Sequence, residues 1–297
     1  MPVIDTDVGL LRESTQAALH AADQTMIHIE AEMAGRIPEL MDTLTAEGPY
    51  AYTIVPEVHP DGTVKLPILS TADEIREIYT LIRGISDLKS VEPMVELRGS
   101  WYSFHEAISR GQIKNTDLPP SEHVTLGLFP VSTGKGITGE LVWIVRPRAE
   151  LGSGVNPEDI PTDPVQLRRE TLVLHEREVA ALRDGDVDAL MDCLNDGVAS
   201  AVRDYVNDTG KLASLHGKDE HRAYYESFFA KYSVESIDLL DRVVQDSYAF
   251  AELRYTVTAR DGSGPVSCPL SFHTAEFHMP AGDGRFIARI GHGTDAR

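Results

Sequence analysis

Between Val165 and Arg183 the apolar residues Leu172, Val179 and Leu182 stand among polar neighbours, which predicts a helix ended by Asp184-Gly185-Asp186. A second helix starts at once: Val187, Leu190, Met191 and Leu194 recur at i, i+3, i+4 and i+7, and Asn195-Asp196-Gly197 stops it. Residues 198–205 are richer in strand formers, and Asn207-Asp208-Thr209-Gly210 turns the chain back before a third helix over 218–229, with Tyr225, Phe228 and Phe229 on it. Strands are then predicted over 234–240, 247–260, 266–279 and 285–291. The last three are separated by the hairpin signals Asp261-Gly262-Ser263-Gly264 and Ala281-Gly282-Asp283-Gly284. The first half reads in the same order, with helices over about 11–34, 37–45 and 71–83 and strands near 50–57, 93–107, 122–131 and 138–146. Helices first and strands afterwards is the pattern of an α+β domain.

The parallel between the halves extends to residues. Leu40-Met41-Asp42-Thr43-Leu44 returns 150 residues later as Leu190-Met191-Asp192-Cys193-Leu194. Asp73-Glu74-Ile75-Arg76 with Tyr79 returns 146 residues later as Asp219-Glu220-His221-Arg222 with Tyr225. Tyr102, Phe104 and Glu106 return at the same offset as Tyr248, Phe250 and Glu252. Three landmarks in order indicate duplication of a whole domain rather than an array of short repeats. From Arg146 to Pro164 the chain carries four prolines and two glycines, a linker signature. The expected organisation is therefore a domain over 8–148, a linker over 149–162 and a second domain over 163–297.

Charge narrows the partners. The chain holds 27 basic and 47 acidic residues; residues 1–150 account for 12 and 22 of them, so each half stands at −10. Such a field repels phosphate backbones and anionic headgroups, so neither nucleic acid nor a membrane surface is an expected partner. No stretch approaches the ~18 apolar residues of a membrane span. Two cysteines, Cys193 and Cys268, fit neither a disulfide framework nor a four-ligand zinc site. The expected location is the cytoplasm, with neither a metal nor a cofactor.

The helix–Asp-Gly-Asp–helix run at 170–194, the Asn-Asp-Gly exit at 195–197 and the Gly217-Lys218-Asp219-Glu220 start of a third helix followed by Tyr225 resemble the NTF2-like, or SnoaL-like, superfamily. Gly35, Leu40 to Leu44 and Asp73 to Tyr79 hold corresponding places in the first copy. That superfamily includes ketosteroid isomerases, scytalone dehydratase, limonene-epoxide hydrolase and polyketide cyclases. The resemblance implies two tandem cones, each with three helices closing a strongly curved, mostly antiparallel sheet around an apolar interior that accepts a small lipophilic molecule. It also implies packing of the copies as an intramolecular pseudo-dimer, with a homo-oligomer as a further option. The steroid isomerases' aspartate base position falls on Val202, and on Tyr52 in the first copy, so that proton shuttle is not carried over. Their first-helix tyrosine position falls on Glu178 and His28, and their oxyanion aspartate position near Glu276.

These positions give the candidates. If Phe272, Thr274, Glu276 and His278 share a strand face turned into the cone, Glu276 and His278 form a buried acid–base pair, with Asp204 as a further catalytic carboxylate. Glu178, Tyr205 and His273 complete the substrate-binding set of the second copy. His28, Tyr52 and Trp101, with Tyr50, His105 and His123 nearby in sequence, offer a gripping set in the first. The competing readings are an outer sheet face for the second group and plain core for the first. Two function classes follow: a binder of a small lipophilic molecule that performs cofactor-free isomerisation, dehydration, cyclisation or epoxide hydrolysis, or a non-catalytic binding or assembly module. Retained landmarks and changed pocket residues imply that the two cones are not identical sites.

Overall fold

The computed structural model describes residues 8–54, 56–59, 61–132, 135–152, 154–204, 211–260 and 269–294. It separates into two compact units, one holding residues 1–54 and 69–145, the other 55–68 and 146–297. The chain order is α1 (Val8–Met33), α2 (Ile37–Asp42), β1 (Ala51–Thr53), β2 (Glu57–Val58), β3 (Val64–Lys65), α3 (Ala72–Ile85), β4 (Ser86–Arg98), β5 (Tyr102–Ile113), β6 (Ser121–Ser132), β7 (Gly136–Ile137) and β8 (Gly139–Ile144). There follow α4 (Pro164–Asp184), α5 (Val187–Cys193), β9 (Leu194–Asp204), β10 (Lys211–His216), α6 (Gly217–Lys231), β11 (Tyr232–Val244), β12 (Ala249–Ala259), β13 (Leu270–Pro280) and β14 (Phe286–Gly293). The fold class is α+β, as the element order in the sequence predicts.

Both sheets share a five-strand order, to which the first adds β7 and the second β10. In the first unit the order is β1-β8-β6-β5-β4, with β7 attached to β6; in the second it is β10-β9-β14-β13-β12-β11. The β1–β8 and β14–β9 pairs are parallel, and the other pairings in these two sheets are antiparallel. Curvature is also duplicated. Register shifts interrupt β4–β5 between Leu88 and Ser90 and between Pro93 and Val95, and β11–β12 between Val234 and Ser236 and between Leu239 and Asp241. Each bulge lies 146 residues from its counterpart, and a bulge bends its strand and increases its twist. The sheets therefore curl in the same two places.

The helices close the curled sheets for readable reasons. Asp163 caps α4 by accepting from the Val165 N–H, Pro164 occupies its first turn, and Gly185 ends it at φ +68°, a left-handed conformation that costs glycine little. Asp186 then caps α5. In α3 Thr71 and Glu74 form a capping box, and in α6 Glu220 accepts from the His216 N–H, so the repeated acidic pairs serve helix starts. Apolar side chains from these helices meet the concave sheets: Leu40, Ile75 and Tyr79 in the first unit, Leu182, Leu190, Tyr225 and Phe228 in the second.

Two expectations shift. The strand expected over 93–107 is two, β4 and β5, broken at Gly99-Ser100-Trp101. β4 is an edge strand with polar residues on both faces, and its Pro93 sits at a bulge, so alternation fails as a signal there. Helix α2 stops at Asp42, short of 45, because Leu44 bridges to Ile137. The turn signals at 207–210 and 261–264 lie outside the described residues. No helix among the described residues is long and apolar enough to cross a membrane.

Candidate functional site

Each curled sheet encloses a cavity with a polar cluster at its wall. In the first unit the cavity measures about 240 Å³ and is walled largely by Ile54, Ile82, Leu88, Val91, Leu126 and Phe129. Glu32, Tyr79, Glu140, His105 and His123 supply its ionisable groups, and no lysine or arginine lines it among the described residues. His28 stands one helical turn before Glu32 on α1, fully buried. Its Nδ1 lies 2.7 Å from Thr43 Oγ1, and its Nε2 lies 3.1 Å from Glu140 Oε2 and 3.2 Å from the Tyr79 hydroxyl. The Tyr79 hydroxyl donates to the same Glu140 oxygen. Tyr52 pairs with Glu140 across β1 and β8, is fully buried, and its hydroxyl has no hydrogen-bond partner among the described residues.

The electrostatic consequence falls on Glu32. Burial and the neighbouring Glu140 charge push its carboxyl from 4.5 up to about 7, more than His28 and Arg83, 3.6 Å away, pull it back. Burial, then the Glu140 charge, holds the Tyr79 and Tyr52 hydroxyls well above 10, so both keep their protons. Burial lowers His105, whose Nε2 lies 2.8 Å from Ser103 Oγ. The site thus holds a carboxyl poised to gain or lose a proton near neutral pH.

The second unit's cluster is charge-balanced. Glu178 on α4, Glu276 and His278 on β13 and Arg289 on β14 converge. His278 Nδ1 lies 2.8 Å from Glu178 Oε2 and its Nε2 lies 3.2 Å from Glu276 Oε2. Arg289 donates to Glu276 Oε2 at 2.9 Å, approaches Glu178 Oε1 at 3.5 Å and bonds the Tyr225 hydroxyl. Carboxylates accept on both sides of the His278 ring, which is satisfied only by an imidazolium with two N–H donors. Burial opposes that charge, but Glu178 and Glu276 outweigh it and raise His278 above 6.5. Burial would likewise raise both carboxyls, yet His278 and Arg289 bring Glu178 down to about 2, and Arg289 and His278 hold Glu276 below 4.5. Glu276 and His278 thus meet as the sequence pattern suggests, but as members of an ion-paired cluster that also holds Glu178 and Arg289. Gly291 faces Glu276 across β13–β14, and a Cβ there would lie 2.2 Å from Glu276 Cγ, so the glycine makes room for this packing.

The adjoining cavity measures about 60 Å³, with Leu182, Val202, Leu215, Phe228, Tyr255 and Phe272 among its walls. Asp204 lines it and accepts from the Tyr224 hydroxyl at 2.7 Å. Tyr205 lies outside the described residues. The structure brings Glu178, Glu276 and His278 together. It leaves His273 off the cavity wall, with its ring bonded to Glu252 at 2.8 Å. His28 joins the first cluster with Tyr52 beside it, whereas Trp101 packs edge-on against Tyr102, ring centroids 4.9 Å apart, away from the cavity lining. Sequence reasoning missed Glu32, Glu140 and Arg289 as members of these clusters. Glu32 was findable as the i+4 neighbour of His28; Glu140 and Arg289 were visible only as lone charges in apolar strands. Among the described residues no group of three His, Cys, Asp or Glu is placed to hold a metal ion.

Residues 175–289 match the SnoaL-like domain. Among solved structures the chain is similar to a ketosteroid isomerase-like protein from Erwinia carotovora atroseptica, at 15% identity and a TM-score of 0.34 over 43% of this chain and 95% of that one. An LEH-like epoxide hydrolase from M. tuberculosis aligns at 14% identity and a TM-score of 0.33, covering 42% and 84%. PrhC from Penicillium brasilianum aligns at 12% and 0.35, covering 43% and 82%. No curated protein matches the chain. The match to the SnoaL-like domain family therefore lies within the second unit and covers less than half of the chain.

Proposed function

We propose that the chain binds a small lipophilic molecule in the first unit's cavity and moves a proton on it by cofactor-independent acid–base chemistry, of the kind used in isomerisation, dehydration, cyclisation or epoxide hydrolysis. The observation that carries this reading is a mostly apolar cavity of about 240 Å³ faced by a carboxyl at about 7. A general acid or base works best when its pKa lies near the working pH, because both the correct protonation state and the driving force are then available. Glu32 meets that condition. Tyr79 retains its proton and stands at the same wall as a hydrogen-bond donor, while Glu140 and His28 fix its orientation. Glu276 and His278, committed to each other and to Arg289, hold charge rather than exchange protons.

The test is native mass spectrometry of small molecules released from the full chain, with Ala107→Leu as the control because Ala107 lines the cavity. A lipophilic compound retained by the wild type and missing from Ala107→Leu is expected. The same compounds in both, or none in either, would overturn the reading. With the compound in hand, Glu32→Gln should leave binding intact and lower turnover about 100-fold or more.

A further inference from the structure

One wall of the second unit's cavity is not used by the carboxylate cluster. Ser200, Val202 and Asp204 alternate along β9 and line it. Ser200 Oγ lies 2.6 Å from His221 Nε2, and His221 Nδ1 lies 2.7 Å from the Gly217 carbonyl oxygen one turn earlier in α6. A carbonyl can only accept, so Nδ1 carries the ring proton. In the neutral ring Nε2 is then bare, and the Ser200 hydroxyl donates to it. A hydroxyl, a base within hydrogen-bond reach and a third group fixing the base's tautomer form the working arrangement of nucleophilic acyl transfer. Arg289 is the cross-strand partner of Ser200 in the β14–β9 pair and lines the same cavity. Its Nη2 is anchored on Glu276, which holds a cation at the wall of the cavity that Ser200 also lines.

We propose that the second unit is a short-chain acyl-ester site in which Ser200 is the nucleophile, His221 the general base and Arg289 the oxyanion partner. Ser200 Oγ bonds the ester carbonyl carbon while its proton passes to His221 Nε2. The carbonyl oxygen takes the negative charge beside Arg289. The carbon–alkoxy bond then breaks, and the leaving alcohol takes the proton from His221. Water repeats the sequence: it gives a proton to His221 and bonds the acyl carbon, Ser200 leaves and recovers that proton, and a carboxylic acid departs. No oxidant or reductant is consumed.

Two properties of the site set the substrate and the pH range. The cavity's 60 Å³ has room for about four waters, which fits an acyl group of roughly two to four carbons. Burial, then the charge of Arg289 and that of His216, lowers His221 to about 4 against the Gly217 bond and Glu220, so the base form is populated at neutral pH. The Arg289 charge that disfavours the imidazolium is compensated once the oxyanion forms, which restores His221's capacity to accept the proton at that moment.

The experiment is intact-mass and peptide-mapping analysis of the full chain mixed with p-nitrophenyl acetate, butyrate and octanoate, with nitrophenol release followed by stopped flow. A burst with acetate and butyrate but not octanoate is expected, with an acyl adduct mapped to Ser200. Ser200→Ala should abolish the adduct, Ser200→Cys should retain it, and His221→Gln should slow acylation about 100-fold or more. An adduct that persists in Ser200→Ala, maps to another residue or is absent from both the wild type and Ser200→Cys would overturn the proposal.

Discussion

The two units share strand order, bulge positions and helix starts, yet their interiors have opposite electrical logic. The helix position occupied by His28 in the first unit is Glu178 in the second, and Tyr79 corresponds to Tyr225. In the first unit the tyrosine donates to a strand carboxylate, Glu140; in the second it accepts from a strand guanidinium, Arg289. The same helix-to-strand contact thus pairs histidine with glutamate in one unit and glutamate with arginine in the other. The difference decides what each remaining carboxyl becomes. Glu32, with Glu140 as its neighbour, is raised to about 7; Glu276, with Arg289 and His278 beside it, is held ionised. One fold therefore raises one carboxyl and pins another as a counter-ion, and the charge that faces each makes the difference.

The largest test of this contrast is to remove the pinning group. Glu178→Leu leaves His278 and Arg289 sharing the single carboxylate of Glu276 in a buried setting, and breaking such a cluster costs about 3–5 kcal/mol. The unfolding transition of the second unit should move to markedly lower temperature in calorimetry. Glu32→Gln, which removes a carboxyl that is already repelled by Glu140, should not destabilise the first unit at neutral pH. Both tryptophans, Trp101 and Trp143, lie in the first unit, so tryptophan fluorescence follows its unfolding separately. Equal costs for the two substitutions would erase the distinction between pinned and poised.

A second test uses pH. Glu32 binds its proton more tightly folded than unfolded, so its contribution is fully present below about 4.5 and is lost as pH rises through about 7, on the order of 1–3 kcal/mol. His105, lowered by burial, opposes it below 6.5. The readout is therefore the difference between wild type and Glu32→Gln, which should grow between pH 4.5 and 7. The second unit has the reverse slope. Glu178 and Glu276, lowered on folding, stabilise it above 4.5 and lose that contribution as pH falls, in Glu178's case down to about 2. The buried neutral rings of His175, His221 and His292, lowered to about 4, 4 and 3, cost further stability as pH falls below 6.5. Raised His278 runs the other way, stabilising at acid pH and losing that contribution above its folded pKa. Fluorescence melts at pH 5 and 7 with the same midpoint difference between wild type and Glu32→Gln would show that Glu32 is not raised.

Much of this architecture is legible in the chain because it depends on local signals. The spacing of Leu190, Met191 and Leu194, the Gly185 stop and the Asp186 cap act within a turn or two, and each defines an element that the structure contains. The interior is less legible because its partners are distant. Glu178 meets His278 across 100 residues and Tyr79 meets Glu140 across 61, so their meeting depends on strand register rather than on any short motif. A one-residue slip of β13 would turn His273 inward and Glu276 outward. Ser200 and His221 carry no local signature of a nucleophile, since the tautomer that makes His221 an acceptor follows from a backbone carbonyl. What a carboxyl does in these cones depends on which charge stands across from it, and periodicity does not register that.

The smallest expected effect concerns space. Ala107 on β5 lines the first unit's cavity, and leucine there adds three carbons to an interior with about 240 Å³ free. Filling that volume recovers apolar burial without displacing neighbours, so stability should stay level or rise by up to about 1 kcal/mol. Val202 on β9 lines the second unit's cavity of about 60 Å³, and Val202→Phe adds a ring to a wall already bordered by Leu182 and Tyr225. Overpacking of this kind costs about 1–3 kcal/mol. Fluorescence melts for Ala107→Leu and calorimetry for Val202→Phe therefore measure the free space of the two interiors. A destabilised Ala107→Leu beside an unaffected Val202→Phe would invert the assignment of the roomier cone.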